Sequence, residues 1–246
     1  MRYVLGIDTA SRFGSIALAG DGVAEAWEVL APGEHSSGLT HAAERLLCAR
    51  DLTPRGLAGV AVSEGPGSFT GLRIGLAWAK GLCFGSKVAL ALVSAHEVHA
   101  HRHRHEAAAL ATVLPGERGE VLAAIWSGGV RAALLWGPAR VADRALPPTL
   151  REALGAASPG SGGTAGGIAV VGPDLSPILR ELLAESGFNV LDPAGGAAAV
   201  SPRHSPLAAA AVAELGDRDL LAGSSVDLAS AAPAYGREPN ARRPGS

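Results

Sequence analysis

The chain has 246 residues, 48% of them hydrophobic, enough to bury a substantial core in one large domain or two small ones. A formal net charge of −2 offers no global attraction to a phosphate backbone and argues against stand-alone nucleic-acid binding. Aromatic residues make up only 4% while glycines number 33, so the core must be Leu, Val and Ala packed closely.

The first half opens with three strand-like runs, "YVLGID", "GSIALAG" and "VAEAWEVL", the last two joined by Asp21-Gly22, a strong hairpin-turn signal. In "EHSSGLTHAAERLLCARD", Ser36 or Ser37 can cap a helix whose apolar residues Leu39, Ala42, Ala43, Leu46 and Leu47 recur at helical spacing. Pro54 follows soon after, as expected beyond a helix end. "LAGVAV" reads as a buried strand, "GPGSFTGLRIG" (65–75) opens a helix from Thr70 to Phe84, "VALALV" is a further strand, and another helix begins near Ser94.

The second half repeats this order. "AALATVL", "GEVLAAIW" and "VRAALLWG" form a second meander, followed by "PTLREALG" as a helix, "IAVVG" as a strand and "DLSPILRELLAESG" as a helix with Pro177 in its first turn. "FNVLD" and "SPLAAAAVAELG" supply the last strand and helix, and the small, polar stretch 155–167 reads as a flexible insertion. One mixed unit repeated twice implies an α/β fold of two ribonuclease-H-like lobes, the architecture of the actin, sugar kinase and Hsp70 superfamily. The lobes are expected at 1–105 and 106–246, with the last helix free to pack back on the first.

Cys48 and Cys83 lie in apolar helical runs outside any CxxC pair and are expected to be buried, reduced thiols. Met1 leads directly into a strand, and no run reaches membrane-spanning length, so a cytoplasmic chain without membrane association is expected.

The glycine-rich turn admits two readings. Gly65, Gly67, Ser68 and Phe69 stand between strand and helix, where free amides and the helix dipole favour an anion. The stretch nevertheless lacks the Gly-Lys-Ser/Thr ending of a Walker loop and misses GxGxxG spacing. Asp8 closes the first strand where superfamily ATPases place a carboxylate near metal and phosphates; its plainer role is turn formation. A complete ATP site needs an acidic group and a glycine-rich adenosine loop in the second lobe, for which "VVGPD" is a poor substitute. A degenerate nucleotide cleft at Asp8, Gly67 and Ser68 follows, with no cofactor required and room only for weak nucleotide binding.

The helix after the turn is apolar or small around nearly its whole circumference, with Gly71 and Gly75 one turn apart. Such a helix is either buried in its own lobe or covered by another chain, and both readings stay open. Downstream, "HEVHAHRHRHE" sets His99 and His103, or His101 and His105, at helical ligand spacing. Arg102 and Arg104 between them would repel a cation, so a solvated His/Arg surface is expected and no metal site. Ser68 in "PGSFTG" is not a GxSxG nucleophile elbow, and no catalytic residue is assigned.

"GIDTASRFGSIAL", "EHSS" before a helix and "SEGPGSFTGLRIGLAWAKGL" together resemble the bacterial TsaB family, also called YeaZ. The resemblance covers residues 1–100. Further on, Pro115-Gly116-Glu117 stands where that family has Asp-Ala-Arg, and "PAYGR" (Pro233–Arg237) resembles its Pro-x-Tyr-Leu-Arg with Gly236 in place of leucine. The resemblance implies a non-catalytic dimerisation subunit without the His-x-Glu-Gly-His metal site of the TsaD transferase. TsaD modifies N6 of the adenosine following the anticodon in tRNAs reading codons that begin with A, transferring a threonylcarbamoyl group. Implied partners are a TsaD-like transferase and a TsaE-like ATPase, with a homodimer allowed in isolation and tRNA contacted at most indirectly. The implied partner interface comprises Leu39, Ala43 and Leu46 of the first helix with Gly71, Ile74, Gly75, Trp78 and Leu82 of the second. The competing class is an enzyme: an ATP-dependent phosphotransferase or ATPase of the same superfamily, using Asp8 and the 65–69 amides.

Overall fold

The computed structural model describes residues 1–10, 14–30, 37–107, 109–115, 120–127, 130–138, 146–148, 150, 152, 169–172, 175–191 and 208–235. The expected insertion at 155–167, the Glu34-His35 pair and Ser36 lie outside the described residues.

The first sheet has the order β3-β2-β1-β4-β5, built from β1 (Tyr3–Asp8), β2 (Gly14–Gly20), β3 (Val23–Leu30), β4 (Gly59–Gly65) and β5 (Ala89–Ser94). The first three strands pair antiparallel, and β1, β4 and β5 run parallel. The β2–β3 turn has Asp21 at φ 46° and Gly22 at φ 79°, the paired positive dihedrals a two-residue hairpin demands. A second sheet repeats the plan as β10-β9-β6-β7-β8, from β6 (Ala109–Pro115), β7 (Glu120–Ser127), β8 (Val130–Pro138), β9 (Ala169–Val171) and β10 (Asn189–Leu191).

Both faces of the first sheet are covered, so β1 reads as a continuous apolar run instead of an alternating one. Leu5 and Ile7 point to one side, where Leu39, Leu46 and Leu47 of α1 (Ser37–Cys48) and Leu76, Ala79 and Cys83 of α2 (Phe69–Ser86) meet them. Val4 and Gly6 face the other side, against α3 (Ala95–Arg102) and α5 (Ala208–Leu221). In the second lobe, Leu179 and Leu183 of α4 (Pro177–Glu185) pack with Val113, Ile125 and Val170.

Helix α5 belongs to the C-terminal half by sequence but lies on β1, β2, β4 and β5 of the first lobe. Its run of alanines explains the placement, because small side chains let the helix axis approach the strands. Gly6 faces the Ala209 carbonyl and lies so close that an added Cβ would sit 2.5 Å from the Ala213 amide nitrogen. Polar contacts clasp the same helix: Arg2 to buried Asp217 at 2.6 Å, Arg218 to Glu97 at 2.8 Å, and the Ala209 amide to Ser15 Oγ at 3.2 Å.

The two cysteines differ. Cys83 is buried and its thiol is pushed up to about 12 by burial, whereas Cys48, expected inside, is exposed at the last residue of α1.

Gly6→Val forces a branched side chain into the α5 backbone. We expect it to cost roughly 1–3 kcal/mol from overpacking, lowering the thermal unfolding midpoint; a variant melting with the parent chain would contradict this packing.

Candidate functional site

The turn at 65–71 lies against the end of β1, where its Ser68 amide and Gly71 carbonyl are engaged. The Ser68 amide donates to the Ala10 carbonyl at 2.7 Å, and Ser68 Oγ caps α2 by accepting from the Gly71 amide at 3.2 Å. A Cβ on Gly67 would sit 2.5 Å from the Ala10 carbonyl oxygen. Thr9, wholly buried, donates its hydroxyl to the Gly71 carbonyl at 2.8 Å. Both Gly71 and Gly75 face Thr9, with no space for a Cβ at either.

The expectation that Gly71 and Gly75 admit a partner helix is therefore corrected: the element they admit is the end of their own β1. Leu39, Ala43 and Leu46 are likewise buried in the first lobe's core, so they cannot meet a partner directly. Ile74, Trp78 and Leu82 are half-buried and pack against that core. Trp78 also donates its indole N–H to Thr40 Oγ1 at 3.0 Å, tying α2 to α1.

The outward face of α2 is a different set. Phe69 is 45% exposed, Phe84 is 78% exposed, and a Cβ on Gly81 or Gly85 would meet nothing within 4 Å. Sequence reasoning missed Gly81 and Phe84 because the helix is apolar all round. Only the position of Thr9 distinguishes inward glycines from outward ones.

Asp8 is buried at 4% exposure and accepts a long hydrogen bond from the Ala10 amide at 3.4 Å. It is the largest negative charge acting on Arg102, whose pKa is lowered first by burial and then partly restored by Asp8 and Glu106. A carboxylate in this position has a guanidinium as its electrostatic counterpart within the same chain.

Helix α3 overturns the expected solvated His/Arg surface. His96 and His99 of the helix and His103 at its C-cap are all buried, while Arg104 and His105 in the turn that follows are exposed. A spacing of three residues places His96 and His99 on one face of α3, and His103 caps its end. His96 Nδ1 lies 2.8 Å from Thr112 Oγ1 of β6, which also accepts from Trp126 Nε1 at 3.1 Å and donates to the Ala124 carbonyl at 3.3 Å. The direction of the His96–Thr112 hydrogen bond follows the imidazole tautomer. This bond joins the helix of the first lobe to the sheet of the second. His99 is driven down to about 3, chiefly by burial and then by the Arg102 charge and the neighbouring His103 and His96.

Among the described residues, no three His, Cys, Asp or Glu side chains converge to hold a metal ion, and no helix is long and apolar enough to cross a membrane.

Solved structures with this arrangement include a ROK hexokinase from Thermus thermophilus, with TM-score 0.52 and 14% identity over 88% of this chain and 99% of that one. YeaZ from Pseudomonas aeruginosa aligns with TM-score 0.68 and 19% identity over 96% of this chain and 100% of that one. The fold is thus shared with these two structures. Residues 29–132 match the family model TsaD, tRNA N6-adenosine threonylcarbamoyltransferase. The tRNA threonylcarbamoyladenosine biosynthesis protein TsaB of Escherichia coli is 36% identical over 91 residues, 37% of this chain, and that of Bacillus subtilis 31% over 124 residues, 50% of this chain. The matched stretches span 39% and 54% of those relatives. Over these stretches the chain is similar to TsaB proteins, and it spans about half the length or less of the curated relatives it matches.

Two outcomes are expected. Gly75→Leu should lower the melting temperature of the isolated protein, because its side chain must displace Thr9; unaltered melting would place Gly75 on an outer surface after all. For His99 the folded pKa lies below the ordinary value of about 6.5, so the unfolded chain binds the extra proton. The stability this group contributes is complete above pH 6.5 and is lost as pH falls towards 3, at up to about 1.4 kcal/mol per pH unit. Denaturant titrations between pH 7 and 5 should therefore show a shallower acid loss in His99→Leu than in the parent chain; equal slopes would mean that His99 is not buried neutral.

Proposed function

We propose that this chain is a non-catalytic scaffold subunit in the synthesis of threonylcarbamoyladenosine on tRNA. On this reading it docks a TsaD-like transferase that modifies N6 of the adenosine following the anticodon in tRNAs reading codons that begin with A. The observation that carries the reading is the contrast between the two faces of α2. Its inner face is locked onto Thr9, while its outer face presents Phe84 and the open Gly81 and Gly85 with nothing of this chain over them among the described residues.

An outward apolar ring beside two glycines is a surface another helix can approach closely. The names of the TsaB relatives supply the pathway, and the TsaD model match supplies the kind of partner. A TsaE-like ATPase joins this assembly, and in the absence of the transferase a second copy of the chain occupies the same face. The competing phosphotransferase or ATPase reading draws little support from the geometry. The amide of Ser68 is engaged by Ala10, that of Gly71 by Ser68 Oγ, and Asp8 acts on Arg102.

Depleting this protein from its host should remove threonylcarbamoyladenosine from tRNA, read by mass spectrometry of digested tRNA, and undiminished modification would sink the proposal. The isolated pair gives a sharper contrast. Gly81→Leu should leave the melting temperature unchanged yet weaken binding to the TsaD-like subunit by about tenfold, near 1.4 kcal/mol; equal affinity would remove the outer face of α2 from the interface.

A further inference from the structure

After α5 the chain crosses the first lobe and reaches α2. The Val226 amide donates to the Leu90 carbonyl at 2.9 Å, Ala231 is buried in the core beside Leu228, and the Ala234 amide donates to the Glu64 carbonyl at 2.7 Å. Gly65, with φ 113°, passes so close that a Cβ would lie 2.5 Å from the Ala234 carbonyl oxygen. This strap brings Tyr235 to the first turn of α2. Its ring stacks on Phe69 with centroids 4.9 Å apart, and its hydroxyl accepts from Arg73 Nε at 2.8 Å. The Arg73 guanidinium carbon lies 3.9 Å above the Phe69 ring.

Arg73 is thus held by two neutral groups. Residues 69–86 include no Asp or Glu. The second cation of the helix, Lys80, has a carboxylate nearby, since it helps hold Asp227 of the strap below its ordinary pKa. Arg73 makes no ion pair among the described residues. A guanidinium already stacked and hydrogen-bonded in one place loses little freedom on meeting a carboxylate, and its remaining N–H groups suit two carboxylate oxygens. At about 100° per residue, Arg73, Ala77, Gly81 and Phe84 fall within an arc of roughly 80° on one side of the helix.

We propose that Arg73, positioned by Tyr235 and Phe69, anchors an Asp or Glu on the partner helix that docks along Ala77, Gly81 and Phe84. The inference rests on the docking face proposed above and adds the strap to it. Tyr235 is a positioning residue: it acts through Arg73. An RNA phosphate would offer Arg73 similar chemistry, but the contiguous apolar face running on to Phe84 fits a protein helix.

The test is calorimetric titration of the full chain with its own host's TsaD-like subunit, at low and high salt, with melting curves for each variant. Arg73→Ala should weaken binding about tenfold or more and flatten the salt dependence. Tyr235→Phe should weaken it about threefold, and the double variant should bind no more weakly than Arg73→Ala alone, since the hydroxyl has nothing left to position. If Arg73→Ala and Tyr235→Phe bind like the parent chain while Gly81→Leu binds weakly, the anchor is wrong and the docking face stands. If Gly81→Leu also binds normally, or the parent chain does not bind, the docking face fails and the anchor with it. Normal partner binding by Arg73→Ala, with reduced retention of tRNA by the complex, would reassign the arginine to RNA and overturn the proposal.

Discussion

Thr9 at the end of β1 is the point on which the placement of α2 depends. Its hydroxyl donates to the Gly71 carbonyl, its backbone carbonyl lies where a side chain on Gly71 would begin, and its side chain occupies the space a side chain on Gly75 would fill. The two glycines bring helix and strand together, and the approach buries Leu72, Leu76, Ala79 and Cys83 along the inner side. Because helical residues are locked in relative angle, fixing the inner face also fixes the outer one. Gly81 and Phe84 are outward because Gly71 and Gly75 are inward.

The same constraint accounts for what the sequence revealed and what it concealed. The order of elements along the chain, the hairpin and both meanders were legible from strand-like apolar runs, Asp21-Gly22 and the repeat of one unit across both halves. The helix from Thr70 was legible too, but not its orientation. With Ile74, Trp78 and Leu82 on one stripe, Leu72, Leu76 and Cys83 nearly opposite and Phe84 between them, the apolar pattern has no single direction, so glycines that pack internally cannot be told from glycines that receive a partner. The interface expected at Leu39, Ala43 and Leu46 failed for a related reason. A regular apolar stripe on α1 is what a core-facing helix requires, and the structure uses it there.

The histidines of α3 misled for a different reason. Alternation with arginine suggests a solvated, repelling segment when every residue is given equal exposure, but the helix packs its own histidines and ends at Arg102, leaving Arg104 and His105 to the turn beyond it. His96, His99 and His103 are buried, while Arg104 and His105 are in solvent. Burying the His99 imidazole beside Arg102 is tolerable because it can stay neutral. His99, with its pKa held near 3, does so by a wide margin at ordinary pH. His96 gains a specific partner in return, and its bond to Thr112 carries the first lobe's helix onto the second lobe's sheet.

Helix α5 and the strap that follows it complete the first lobe from the far end of the chain. The alanines of α5 fit against β1 where Gly6 leaves room, and the strap then crosses β5 and β4 to reach α2. The sheet is therefore covered on one face by helices close to it in sequence, α1 and α2, and on the other partly by a helix about 200 residues away from β1. The arrangement has a consequence for the outer face of α2. Tyr235, which steadies Arg73, is held in place by backbone bonds at Leu90 and Glu64, so the polar end of that face depends on the C-terminal half of the chain having folded back. Its apolar end, at Gly81 and Phe84, belongs to α2 alone.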